Sequence, residues 1–259
     1  MKKTLLLLSL SLLMACSNVP ISNRKQISLI PNSTLMVESE KGYADVLQKS
    51  KVLSDSRAKE IKEIGAKMQK AVEDYMKANN KSSLIKDFKW EFNLIEENTA
   101  NAWCMPGGKV AFYTGILPYT KDANGIATVM GHEIAHAIAN HGNERASQAI
   151  LINLGYTVLD DLKKDNPTLL KEILFQSYGI GSTLGSLKFS RVQELEADSL
   201  GLIFMAMAGY DPSSAVGFWE RMSQVGGGTL EILSTHPNDE KRIKEIKDFL
   251  PVAMKYYKN

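Results

Sequence analysis

Met130-Gly131-His132-Glu133-Ile134-Ala135-His136 is the stretch on which the reading of this chain turns. Residues four apart on an α-helix lie about 40° apart around its axis and about 6 Å apart along it. His132 and His136 therefore project from one face and can hold a single metal ion. Val129, Ile134, Ala135, Ala137 and Ile138 make the same helix apolar nearly all round, which predicts burial. Two imidazoles and a carboxylate on a buried helix need partners, and a cation supplies them. Zn2+ suits two His and a carboxylate with one position left open. Glu133, next to His132, is placed as a general base for a water molecule.

Such a site needs a third protein ligand. Ala139 and Gly142 stand where the metzincin pattern has Gly and His, so that pattern is excluded. His141, on a continued helix, is turned about 140° from His136 and reads as a capping or surface histidine at the helix end. A carboxylate from another helix remains, and Ser190-Arg191-Val192-Gln193-Glu194-Leu195-Glu196-Ala197-Asp198 offers three. Glu194 and Asp198 share a face, while Glu196 points elsewhere. Glu194 completes the metal shell, and Asp198 accepts the second N–H of a ligand His and fixes its tautomer.

Composition agrees with a globular body. The chain has 259 residues, 44% hydrophobic and 23% charged, which excludes disorder and suits one or two domains. Lys+Arg is 31 against Asp+Glu 29, too balanced to indicate nucleic acid. Two Cys exclude a disulfide framework and a Cys-based zinc site.

The N-terminus reads as an address. Lys2 and Lys3 precede an apolar run from Thr4 to Met14, which is too short to span a bilayer. Leu13-Met14-Ala15-Cys16 then resembles the lipobox of bacterial lipoproteins. The expectation is a signal peptide over 1–15, a lipidated Cys16 with a polar tether to residue 33, and a single domain over 34–259. Removing 1–15 takes away Lys2 and Lys3 and leaves acid and base balanced, so membrane attachment would rest on the acyl chains. Ser17 is not the Asp that marks inner-membrane retention in enteric bacteria, which favours the outer membrane, facing the periplasm. With Cys16 lipidated, Cys104 is a lone thiol in Ala102-Trp103-Cys104-Met105 and reads as a small buried hydrophobe.

A short helix is expected over 34–49. Ile61, Ile64, Met68, Val72 and Tyr75 are spaced for an amphipathic helix over 54–79. Trp90, Phe92 and Leu94 alternate as on a strand, 101–105 and 110–113 are further strand candidates, and Pro106-Gly107-Gly108 is a turn between them. From Asp122 onward the pattern is helical, with breaks at Pro167 and at Gly179, Gly181 and Gly185. Strands grouped early and helices late give an α+β fold, mainly helical, with a small β-sheet beside the His132 helix.

H-E-x-x-H, then S-R-x-x-E-x-E-A-D, then Thr235-His236-Pro237 with Arg242 downstream, together resemble the M48 metallopeptidases over roughly residues 60 to 250. The lipobox and the lack of spanning helices bring the chain nearer the soluble, lipoprotein-type bacterial branch. The resemblance implies a zincin (gluzincin)-like body with one zinc per chain on His132, His136 and Glu194. It implies Glu133 as base and Asp198 behind the ligands. His236 and Arg242 would lie at the cleft to stabilise the oxyanion; alternatively His236 latches the zinc as a fourth ligand, and Arg242 is a surface charge. Asn101 and Ala102 match the family's strand beside the cleft, which could pair with an extended peptide; alternatively Asn101 is a turn residue. The glycines at 226–228 could let the His236 loop move. The function implied is a zinc endopeptidase of the cell envelope, acting on protein or peptide substrates in quality control. The other reading is an envelope assembly factor or chaperone-like lipoprotein that cleaves little. A pure binding module has no need of Glu133.

Overall fold

The computed structural model describes residues 16–19, 22–153, 167–180, 189–224, 230–236 and 240–258. The signal peptide over 1–15, Gly181, Gly185, the glycines at 226–228 and Pro237 lie outside the described residues. In chain order the elements are β1 (Cys16–Asn18), β2 (Lys25–Ile27), α1 (Asn32–Lys49), α2 (Ser56–Ala78), β3 (Glu91–Ile95), β4 (Ala102–Met105), β5 (Lys109–Tyr113) and α3 (Leu117–Thr120). There follow α4 (Ala123–Ile138), α5 (His141–Asn153), α6 (Pro167–Ser177), α7 (Arg191–Met207), α8 (Ser214–Gln224), α9 (Glu231–Thr235) and α10 (Glu240–Ala253). Strands precede the helical half, as expected for α+β, and no helix among the described residues is long and apolar enough to cross a membrane.

The main sheet has the order β3-β5-β4. β3 runs parallel to β5 with Phe92 opposite Val110, and β4 runs antiparallel to β5 with Cys104 opposite Val110. Gly107 and Gly108 make the β4–β5 turn with φ of 86° and 76°, a left-handed pair that only glycine adopts without strain. Side chains alternate between two cores. Phe92, Leu94, Ala102, Cys104, Val110 and Phe112 face a large core shared with α2, α4, α7, α8 and α10. Trp103, Met105 and Ala111 face a smaller one with α1, α5 and α6. Cys104 is buried and free, as its apolar neighbours predicted.

Asp55 begins α2 by accepting from the backbone N–H of Arg57 and Ala58, and the apolar stripe from Ile61 to Tyr75 is buried. α4 lies at the centre, with every residue from Gly125 to Ile138 buried. α4 and α7 touch backbone to backbone. A Cβ on Gly201 would stand 2.8 Å from the Gly131 carbonyl carbon, and one on Gly131 would stand 2.8 Å from the Gly201 oxygen. These two glycines let the helices that carry the candidate ligands meet.

The stretch read as a polar tether over 16–33 differs from that expectation. β1 pairs with β2, and Val19, Gln26 and Ile30 are buried against the body. Arg24 and Ser28 of this polar segment bond to Glu144 and Asn143 of α5 and to Glu196 of α7.

Candidate metal centre

α4 presents His132, Glu133 and His136, α7 presents Glu194 and Asp198, and His236 follows α9 directly. α7 starts with a capping box in which Ser190 and Gln193 satisfy each other's backbone N–H groups, which fixes the first turn one residue before Glu194. One donor atom each from His132, His136, Glu194 and His236 lies within 4.8 Å of the others, and all four residues are buried. His132 Nε2 is 3.0 Å from His136 Nε2 and 3.1 Å from His236 Nδ1. Glu194 Oε1 is 2.9 Å from His236 Nδ1 and 3.4 Å from His136 Nε2.

These separations test whether a metal fits. Tetrahedral zinc with bonds near 2.0–2.1 Å spaces its ligand atoms about 3.3 Å apart, and the four donors bracket that value. Three ring nitrogens converging on one point cannot all be satisfied by one another's protons, because a neutral imidazole offers a single N–H. Burial holds His136 well below the usual histidine range, which keeps it in the neutral form that ligates metal. Burial alone would push Glu194 up, but the Arg242 guanidinium and His236 hold it well below the usual carboxylate range. The donor set fits zinc.

Glu133 Oε1 is buried with no hydrogen-bond partner, and His236 Nε2 stands 3.5 Å away. Burial raises its pKa, with the nearby imidazoles His236 and His132 opposing. A buried carboxylate with raised proton affinity and an unengaged oxygen beside the donors is suited to accept a proton.

Asp198 Oδ1 lies 2.9 Å from His132 Nδ1, where the sequence placed it. Arg242 is buried and is not the surface charge of the alternative reading. Its Nε and Nη2 donate to Asp198 at 2.7 and 2.8 Å, its Nη1 pairs with Glu194 Oε2 at 2.6 Å, and its plane stacks on Trp219 at 3.7 Å. The guanidinium is buried and ties the two carboxylates Asp198 and Glu194 together. His236 does lie at the centre, among the ligand atoms.

Asn101 and Ala102 are each 1% exposed. The Asn101 amide donates to Gly179 O at 3.1 Å and its Oδ1 accepts from Ala102 N at 2.9 Å. Both side-chain groups are thus engaged within the chain, and β4, which begins at Ala102, lies at the edge of the sheet.

His141 corrects the sequence reading most sharply. Asn140, at φ 59°, ends α4 in the left-handed conformation, and His141 opens a new helix instead of continuing the old one. Its ring is fully buried, with Nδ1 2.9 Å from His136 Nδ1 and Nε2 3.0 Å from Glu196 Oε2. Sequence reasoning also missed Glu196, Glu144 and Arg24, which continue from it. Arg24 makes a bidentate pair with Glu144 at 2.7 and 2.8 Å and meets Glu196 through Nε at 3.1 Å. Burial alone would raise Glu196, but bonds from His141, Arg24 and Ser22 hold it down to about 2. The signal for His141 was its spacing after His136 together with the Asn before it; Arg24 carried none. Phe189 lies over His136, 3.9 Å between ring centroids, and the Arg145 guanidinium stacks on Phe189 at 3.7 Å.

The chain is similar in sequence to curated proteins. The chain is 38% identical over 172 residues to the "Mitochondrial metalloendopeptidase OMA1" of Schizosaccharomyces pombe, covering 65% of this chain and 49% of the relative. It is 26% identical over 253 residues to "Metalloendopeptidase OMA1, mitochondrial" of Homo sapiens, covering 91% and 46%. It is 26% identical over 168 residues to the "Beta-barrel assembly-enhancing protease" of Escherichia coli, covering 61% and 34%. The chain thus spans about half the length, or less, of these relatives. Residues 63–250 match the model of Peptidase family M48. That match covers most of the chain and every residue of the buried cluster, and the chain belongs to peptidase family M48.

Proposed function

We propose that this chain is a zinc endopeptidase of the bacterial cell envelope, anchored by lipid on Cys16 and acting on unfolded or misassembled proteins. The observation that carries the chemistry is the convergence of His132, His136 and Glu194 beside the unpartnered Oε1 of Glu133. His132, His136 and Glu194 would hold the zinc, which when bound polarises a carbonyl and makes water acidic enough to react near neutral pH. Glu133 takes the proton from the attacking water and returns it to the leaving amine. Asp198 and Arg242 orient His132 and Glu194, so no ligand must reorganise during the reaction. His236 Nδ1 lies 3.1 Å from His132 Nε2 and 2.9 Å from Glu194 Oε1, so it would serve as a fourth ligand and would have to swing aside to admit a substrate carbonyl. The two relatives' names, "metalloendopeptidase" and "beta-barrel assembly-enhancing protease", agree with peptide cleavage. The envelope placement rests on the apolar run ending at Cys16.

The test is casein digestion by the purified protein with and without a chelator, alongside Glu133→Gln. Activity that chelation abolishes and zinc restores, and that Glu133→Gln loses while keeping its zinc, supports this reading. Full activity in Glu133→Gln removes Glu133 as base. His236→Ala should raise activity by freeing the fourth position; a fall of about 100-fold with zinc retained would instead assign His236 to the oxyanion. Cys16→Ser should release the protein from the membrane fraction or leave the signal uncut.

A further inference from the structure

His132 and His136 face the same requirement from opposite sides. To offer Nε2 to a metal, each must carry its proton on Nδ1, and that N–H needs a fixed acceptor. For His132 the acceptor is Asp198. For His136 the nearest polar atom is His141 Nδ1, at 2.9 Å. The rest of the proton arrangement follows. If His136 Nδ1–H donates, His141 Nδ1 accepts, so His141 carries its own proton on Nε2. That N–H then donates to Glu196 Oε2 at 3.0 Å. Glu196 in turn is gripped by Arg24 Nε and by Ser22 Oγ.

Arg24 does more than end this chain of bonds. Its two Nη atoms hold Glu144 on α5, and Glu144 Oε2 also accepts from Gln193 Nε2 at 2.7 Å, one residue before Glu194. Gln26, two residues on, donates to Ala139 O at 3.2 Å, a carbonyl at the end of the helix that carries both histidines. The strand pair near the N-terminus therefore touches the His136 helix, the His141 helix and the Glu194 helix together. It lies outside residues 63–250, the stretch that matches the family model.

We propose that Arg24, acting through Glu196 and His141, is a positioning residue for the metal ligand His136, so that the segment 22–27 is a working part of the metal centre. This rests on His136 being a zinc ligand. Its consequence is that residues 22–27, outside the stretch that matches the family model, set how tightly the metal is held.

Zinc affinity of the full-length protein, measured by competition with a chromogenic chelator, tests it without reference to proteolysis. Arg24→Ala and Glu196→Gln should each weaken zinc by about 10-fold to 100-fold. The double variant should be no weaker than the worse single one, because both break one series of contacts. Arg24→Lys, which cannot make the fork to Glu144 and also reach Glu196, should recover only part of the loss. The cobalt-substituted protein should change its visible spectrum on Arg24→Ala, since a freed His136 ring alters the ligand field. Ser147→Ala supplies the control. It removes the acceptor for Leu29 N, a bond that docks the same segment without touching Arg24, and should leave zinc affinity unchanged. Should Glu196→Gln fail to fold, Arg24→Ala and Ser147→Ala decide between them. Zinc affinity within about 2-fold of wild type in Arg24→Ala, additive losses in the double variant, or an equal loss in Ser147→Ala overturns the proposal. A wild-type protein that binds no zinc defeats the proposed function instead.

Discussion

The two histidines of α4 are held by arms of the same design built in different places. His132 Nδ1 meets Asp198, and Asp198 meets Arg242, with all three side chains 6% exposed or less. His136 Nδ1 meets His141, His141 meets Glu196, and Glu196 meets Arg24, whose side chain is 26% exposed. One arm is sealed in the core with a guanidinium stacked on Trp219; the other runs out to a strand pair far away in sequence. The difference teaches that holding a buried imidazole in place requires a partner and not a particular residue. A buried carboxylate does it at once, and a histidine does it by passing the requirement on until a surface arginine meets it.

The buried arm should be the costlier to break. Asp198→Ala takes away the carboxylate to which Arg242 Nε and Nη2 donate and the partner of His132 Nδ1. The expected loss is about 3–5 kcal/mol of stability in urea unfolding, with zinc affinity falling as well. A loss below about 1 kcal/mol would place that arm with weak surface pairs. Gly201→Ala strikes both arms by wedging α4 from α7. We expect a loss of about 1–3 kcal/mol and weaker zinc binding, read in the same two assays. Salt should separate the arms without a mutation. Raising ionic strength from 0.05 to about 0.5 M screens the partly exposed Arg24 pairs and spares the buried Arg242 pairs. Limited proteolysis should then nick the chain within 22–27 faster, while the protease resistance of α7 and α10 stays constant. Equal sensitivity at both places would erase the distinction. Smallest of all, Asp55→Ala removes the cap of α2 and an exposed pair with Arg57, remote from either arm. It should lower the melting temperature slightly and leave zinc affinity alone.

Much of this was legible in the sequence, for identifiable reasons. Periods of two and of three to four residues found β3 and α2, because each has a face in the large core: Phe92 and Leu94, Ile61 to Tyr75; β5, buried on both faces, was found by the glycine turn before it. H-E-x-x-H gave a buried helix, and the structure brings His132, His136 and Glu194 together with Asp198 beside His132. What escaped depends on where the chain turns and what meets at long range. Asn140 adopts a conformation that breaks α4, so a helical projection sent His141 the wrong way. Arg242 was placed by motif alone, which fixes its neighbourhood and not the direction of its fork. The polar stretch over 16–33 has the composition of a linker, yet Val19, Gln26 and Ile30 are buried because α5 and α7 supply the matching polar groups. No spacing rule joins Arg24 to Glu196, and no pattern foretells that Gly131 and Gly201 will be pressed together.

The central claim is that one metal ion organises the buried cluster. Metal analysis of the purified protein by plasma mass spectrometry, wild type beside His136→Ala, tests it most directly. The account predicts one zinc per chain in the wild type and close to none in the variant. A wild-type protein free of zinc, or a variant that keeps a full equivalent, would contradict it.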